Sequence, residues 1–246
     1  MRNLLLHACC APCAVMPATL FRQREAHSPG ASMALAFINP NIQPRDEHRL
    51  RREVFAAWAA QEGHRVLEGH DGSQEDFASW EKAVAPVAEA ALAANANNQT
   101  ADERARENRC RLCYRLRFEQ LAAAAAREGF DAIATTLTIS PYQLADVIEQ
   151  ELVAAAMRHG VTACFEDYRP WYAQSVSASR ELGMYRQNYC GCRYSKAEAD
   201  KARAARKAAR AQEREKKRAL KQEQGQEQEQ GQTALSETRP SGWMPC

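Results

Sequence analysis

Five short apolar runs, the first four each followed by a segment with helical spacing, constrain this chain more than any other feature. NLLLHA (3–8), MALAFINPNI (33–42), HRVLEG (64–69), DAIATTLTIS (131–140) and VTACFED (161–167) read as strands. Between them, PCAVMPATLFRQREA is helical with Pro17 expected to kink or delay its start, and RDEHRLRREVFAAWAAQEG is an amphipathic helix capped by Gly63. Residues 81–128 read as a helical insertion with an Ala-rich middle, and a further helix runs from Ser140-Pro141 to about His159. Strands alternating with helices predict an α/β fold, a doubly wound parallel sheet covered on both faces. Such sheets bind ligands beyond the carboxyl ends of their strands. The distinctive residues fall there: Cys9 and Cys10 after the first strand, Asn39 and Asn41 after the second, Thr138 and Ser140 after the fourth, Asp167 after the last.

The chain has 246 residues, 45% of them apolar, enough for one good core or two small ones. The opening leucine run, Leu4 to Leu6, is too short for an export signal, and no stretch reaches the length of a membrane span. The expected location is cytoplasmic, with no membrane partner. In that compartment nine cysteines speak for metal or redox chemistry rather than a disulfide framework.

Three cysteine groups carry that chemistry: Cys9-Cys10, Cys110-x-x-Cys113 and Cys190-Gly191-Cys192. On a helix, residues three apart share a face, so Cys110 and Cys113 can present two thiolates to one metal. Two such pairs supply four sulfur ligands, which suits zinc or a [4Fe–4S] cluster. A disulfide across the single residue of Cys190-Gly191-Cys192 would be strained and easily reduced, so this pair reads as a dithiol that carries two electrons. Extra metal ligation is its competing role. Cys13 is either a small buried residue at a helix start, the preferred reading, or a ligand, to a second metal or in place of one of the adjacent pair. Cys164 and Cys246 read as bystanders. No Gly-rich phosphate loop follows the first strand, which argues against nucleotide activation.

The catalytic domain is expected to span 1–195. From Lys196 to Lys221 eleven Lys and Arg face four Asp and Glu, followed by a Gln/Glu-rich stretch. The tail 196–246 therefore reads as disordered or a lone solvated helix, with a basic arm on RNA phosphates as the alternative.

LLLHACCAPC, NPNIQP, RCRLCYRLRFEQLA, GFDAIATTLTISPYQ and YRQNYCGCRYS, in that order over residues 3–195, resemble the cobalamin-independent epoxyqueuosine reductases of the QueH type. The resemblance implies an adenine-nucleotide hydrolase-like (HUP, Rossmann-like) fold. It also implies reduction of epoxyqueuosine at the tRNA wobble position to queuosine, the last step of queuosine biosynthesis. A [4Fe–4S] cluster on Cys9, Cys10, Cys110 and Cys113 and a redox-active disulfide between Cys190 and Cys192 follow from it as well. The chain departs from the family pattern in a longer Ala-rich segment, in Pro170 within DYRPWY, and in its tail.

Epoxide deoxygenation needs two electrons, two protons and a destination for the oxygen, so a cofactor and an external electron donor are expected. The adjacent cysteines leave room for an additional mononuclear iron, with Asp167 a candidate ligand or proton donor beside its plainer reading as a turn cap. His7 is a candidate proton donor, or else a core histidine. Tyr185, Arg186, Gln187, Asn188 and Tyr189 offer stacking and phosphate contacts for RNA. Two rivals remain open: an iron–sulfur tRNA sulfur-transfer enzyme and a non-enzymatic, zinc-stabilised RNA-binding module.

Overall fold

The computed structural model describes residues 3–25, 30–67, 74–94 and 99–237; Cys246 lies outside them. Five strands, β1 (Asn3–His7), β2 (Ser32–Ala36), β3 (Arg65–Val66), β4 (Ala132–Thr135) and β5 (Thr162–Ala163), pair in parallel in the order β3-β2-β1-β4-β5. The chain leaves β1 in one direction and returns to its other side with β4. The switch point therefore falls between β1 and β4, where the crevice of a doubly wound sheet opens.

Alternation along β1 sorts the two faces. Leu4 and Leu6 pack with Leu35, Ala132 and Ala134 against α1 (Ala11–Glu25) and α2 (Arg45–Gln61). Leu5 turns the other way, joining Ala34, Ala36 and Ile133 under α4 (Gln99–Arg127) and α5 (Ala145–His159). A fully buried leucine of this kind is worth about 1.5–3 kcal/mol. The central strands are sealed on both faces, which is why they read as continuous apolar runs.

The edges are shorter than the sequence suggests. HRVLEG and VTACFED each contribute two strand residues, since an edge strand has one neighbour to pair with. The fourth strand stops at Thr135, not Ser140, because Leu137–Ile139 coil into a 3-10 turn. The following helix starts at Ala145 rather than at Ser140-Pro141. Pro17 neither delays nor ends α1, which runs through it from Ala11; its missing N–H leaves the Cys13 carbonyl without the usual helical partner. Gly63, at φ +68°, takes the left-handed conformation that follows α2.

Between β3 and β4 lie α3 (Gln74–Ala94) and α4, which pack on each other and enclose a third apolar cluster of Trp80, Val84, Ala88, Cys113, Cys192 and Tyr194. A short helix, α6 (Tyr172–Glu181), packs on α1. The chain divides into two compact units, 1–195 and 196–246. The described part of the second belongs to α7 (Arg193–Glu237), a single long helix. Among the described residues no helix is long and apolar enough to cross a membrane.

Candidate functional site

The loop leaving β1 is anchored from three sides. Ala8 N–H bonds the Ala36 carbonyl at 2.8 Å, continuing the β1–β2 ladder, and Asn39 Nδ2 donates to the Ala8 carbonyl at 2.9 Å. Beyond it Cys9 and Cys10 are buried, and α1 begins at Ala11. The sulfurs of Cys9 and Cys10 lie 3.7 Å apart, and those of Cys9, Cys10 and Cys13 all lie within 4.8 Å of one another. Cys13 thus joins the adjacent pair rather than acting as plain packing. This trio can hold a metal ion or a cluster, since three soft thiol donors converge on one point.

Burial works to raise the Cys10 thiol, yet hydrogen bonds from Cys13 and Cys9 and the nearby Arg51 bring it well below the ordinary range. Its neighbours move the other way. Cys9 is pushed up to about 11, chiefly through its hydrogen bond to Cys10, and Cys13 rises through bonds to the same two sulfurs. Hydrogen bonding inside the trio thus favours the thiolate at Cys10 over Cys9 and Cys13. Gln187 adds a donor, its Nε2 standing 2.7 Å from Cys10 Sγ and 3.8 Å from Cys13 Sγ.

Cys110 packs against the apolar cluster that contains Cys9 and Cys10, while Cys113 shares a cluster with Cys192. Burial pushes both α4 thiols up to about 12, and Cys190 and Cys192 add to the rise. Burial raises Cys192 as well, with a contribution from Cys190. All four are free thiols. Cys190 Sγ points to Gln143 Oε1 at 3.9 Å, and that oxygen also accepts the Tyr114 hydroxyl at 2.7 Å.

The Cys190-Gly191-Cys192 turn is braced from α2 and the loop before it. Arg51 donates to the Cys190 carbonyl at 2.9 Å and the Tyr189 carbonyl at 3.3 Å, stacks 4.9 Å from the Tyr189 ring centroid, and pairs with Glu47 at 2.7 Å. Gln43 N–H donates to the Gly191 carbonyl at 2.8 Å. Gly191 has φ +151°, and a Cβ there would stand 2.9 Å from Asn41 Nδ2 and from Ile42 Cγ1. Only glycine fits this approach.

Several sequence candidates take other roles. His7 is a core residue, not a proton donor near neutrality. Its Nε2 lies 3.0 Å from the Ile38 carbonyl and its Nδ1 3.0 Å from Thr135 Oγ1, and burial together with Arg117 lowers it to about 3. Asn39 is fully buried, holding Ala8 and Arg117 rather than facing a substrate. Thr138 is buried and donates to the Glu166 carbonyl at 2.7 Å. Asp167 does not join the sulfur trio: its carboxylate is engaged by Arg169 at 2.6–3.0 Å, which also holds it below the usual carboxylate range. Asn41 is buried beside Gly191, and Ser140 is half-buried in the turn before α5. Tyr185, Arg186 and Asn188 are exposed, with the Tyr185 hydroxyl donating to Glu47 at 2.8 Å.

Sequence reasoning passed over Arg117, a fully buried guanidinium. It donates to Asn39 Oδ1 at 2.5 Å and the Ile38 carbonyl at 3.3 Å, but its Nη1 has no hydrogen-bond partner and no carboxylate faces it among the described residues. Its charge favours the thiolates of both Cys9 and Cys113. Asn41 Oδ1, Thr136 Oγ1 and Gln187 Oε1 are likewise buried without a partner. The signal for Arg117 was its place: four residues after Cys113 and seven after Cys110, on one face of α4.

A doubly wound α/β domain with cysteine groups at its switch point and an uncompensated cation beside them defines a thiol-based, metal-competent class of protein. The profile described as epoxyqueuosine reductase QueH matches residues 4–198. The epoxyqueuosine reductase QueH of Thermotoga maritima is 32% identical over 200 residues, covering 80% of this chain and 92% of the relative. That of Dehalococcoides mccartyi is 30% identical over 196 residues, 80% of this chain and 93% of the relative. That of Staphylococcus aureus is 26% identical, covering 77% and 74%. A solved structure, a predicted subunit of tRNA methyltransferase from Methanocaldococcus jannaschii, aligns with a TM-score of 0.42 at 14% identity, over 74% of this chain and 75% of the other. The chain belongs to the epoxyqueuosine reductase QueH family, and with it to the oxidoreductases of queuosine biosynthesis.

Proposed function

We propose that this chain reduces epoxyqueuosine in tRNA to queuosine in the cytoplasm, with a [4Fe–4S] cluster held by Cys9, Cys10, Cys110 and Cys113 and with Cys190 and Cys192 as its electron-carrying dithiol. The observation that carries the reading is Arg117. A buried guanidinium without a carboxylate is costly unless an anion compensates it. A cluster bound by thiolates is such an anion, and Arg117 acts on one cysteine from each of the two groups. The soft donor set and the orphaned Arg117 Nη1 both fit it. When bound, the cluster supplies low-potential electrons and a Lewis-acidic iron for the epoxide oxygen. Cys13, whose sulfur lies with those of Cys9 and Cys10, is the natural additional ligand should a further iron be held there.

The chain's own groups account for the rest. Deoxygenation breaks both C–O bonds of the epoxide, forms the C=C bond and releases the oxygen as water, at a cost of two electrons and two protons. Oxidation of the Cys190/Cys192 dithiol to a disulfide yields two electrons and two protons, so the step balances. A cytosolic dithiol donor then restores the pair by exchange. Burial raises the Cys192 thiol, which favours a carrier of hydrogen as well as electrons. Gln143 holds the Cys190 S–H, and Arg51 fixes the turn through its carbonyls. Exposed Tyr185 and Arg186 supply a ring and a cation for the RNA around the modified base.

The test is anaerobic purification followed by iron and sulfide analysis and an assay on epoxyqueuosine-containing tRNA. A brown protein that forms queuosine without ATP supports the reading. A colourless zinc protein that leaves the epoxide intact overturns it, and ATP-dependent sulfur incorporation would move it to the sulfur-transfer class.

A further inference from the structure

The family profile ends at residue 198, yet the helix that begins at Arg193 continues to Glu237. Of the ten Lys and Arg between 196 and 218, eight recur at spacings of three, four and seven. At 3.6 residues per turn they occupy about a third of the helix circumference. The two exceptions, Lys201 and Lys216, lie on the other side. Lys196 and Arg203 are paired with Asp200, and Lys217 with Glu213. Arg206, Lys207, Arg210, Arg214 and Arg218 are exposed and make no ion pair among the described residues. Those five cations form one line about 18 Å long at 1.5 Å per residue.

The composition of the opposite face decides what such a line can meet. Between 196 and 218 every apolar residue is alanine. A helix lying on a membrane needs Leu, Phe or Trp to bury, and a helix seated in a protein groove needs bulky anchors at helical spacing. This one has neither. A polyanion that demands charge and no apolar contact remains, and the chain's substrate class is a polyanion.

We infer that the basic stripe of α7 binds the phosphate backbone of the tRNA, holding the substrate by an arm beyond the family's shared domain. The inference rests on the tRNA reading of the preceding section. Its contacts are to phosphates, so they add affinity and salt dependence and carry no sequence choice.

A charge-matched pair of full-length variants tests it. Arg210→Gln/Arg214→Gln removes two cations from the stripe, and Lys201→Gln/Lys216→Gln removes two from the far side. Glutamine keeps helix propensity, which circular dichroism verifies. Binding to tRNA is read by fluorescence anisotropy over a salt series. The stripe pair should bind about tenfold more weakly at low salt and lose about 1.5 from the slope of log affinity against log salt, while the far pair shifts affinity less than about twofold. Replacing all five unpaired cations should lower the slope by about four. Equal effects of the two pairs, no effect of either, or stripe-dependent binding of phosphatidylserine vesicles instead of tRNA would overturn the inference. Where the wild type still forms queuosine, such results remove the stripe alone; a wild type that neither binds tRNA nor reduces its epoxide removes the functional reading with it.

Discussion

Cys9, Cys10 and Cys13 sit where a central strand turns into a helix, and regular backbone pairing holds them; Cys190 and Cys192 sit on an irregular turn held by scattered contacts from elsewhere in the chain. The first group is fixed by the β1–β2 ladder and Asn39, the second by Arg51, Gln43 and the close approach of Gly191 to Ile42. Their protonation differs as well. Hydrogen bonds within the trio lower the Cys10 thiol, whereas burial raises Cys192. A rigid group with one lowered thiol suits permanent ligation, which requires deprotonated sulfur. A dithiol on a turn held by long-range contacts suits a carrier that opens and closes. The α4 thiols stand between the two, sharing apolar clusters with each.

The comparison breaks most visibly at Cys10. Cys10→Ser should abolish iron binding and lower activity by more than about a hundredfold, since the thiolate is the soft ligand iron needs. Iron analysis beside circular dichroism will separate this from unfolding, and retained iron would move the metal site elsewhere.

Arg117→Gln comes next. Losing the cation should weaken metal retention by about 10–100-fold in a chelator competition, in line with the loss of an outer partner, and Arg117→Lys should recover part of it. A metal affinity unchanged by either variant would mean that Arg117 compensates no anion.

Gly191→Ala sharpens the other side. The new methyl meets Asn41 and Ile42 at 2.9 Å, and alanine is strained at φ +151°, so the variant should lose about 1–3 kcal/mol in denaturant unfolding. Iron content should hold while turnover falls. An effect on iron instead would merge the two cysteine regions into one.

The smallest effect concerns the scaffold of α4. Glu151, almost fully buried on α5, binds Arg115 at 2.9 Å and Arg111 at 3.3 Å on the cysteine-bearing helix. Burial works to raise its carboxyl, but bonds to the two arginines bring it below the ordinary range. A lowered folded-state pKa contributes stability above the unfolded value, about 4.3, and loses it as pH falls. Glu151→Gln should therefore cost about 2 kcal/mol near neutrality and little in acid. Denaturation at both pH values reads the difference.

Much of this architecture was legible from residues alone. Leu4 to Leu6 announced a strand buried on both faces, and the position of Cys9 and Cys10 after it placed sulfur at the crevice of the sheet. The short edges were overread because VTACF is mostly apolar, yet only Thr162 and Ala163 pair as strand residues. Arg51 and Arg117 stayed hidden because charge is expected outside. Each occupies an apolar stripe, Arg51 in line with Phe55 and Trp58, Arg117 one turn beyond Cys113. A cation at a core position was the signal to follow. Asn39 and Thr138 were placed at the right end of the sheet but at the wrong depth, since period and spacing locate a residue along a strand and not its exposure.

The central claim is that one cysteine region holds the metal and the other carries the electrons. Cys192→Ser, purified anaerobically and given epoxyqueuosine tRNA, tests it directly through two readings: iron per chain and queuosine formed per enzyme over repeated cycles. The account predicts full iron, an unchanged cluster spectrum and failure to turn over more than once. Iron that falls in proportion to activity would contradict it by making Cys192 a ligand, and full iron with full repeated turnover would contradict it by leaving the pair a structural clip.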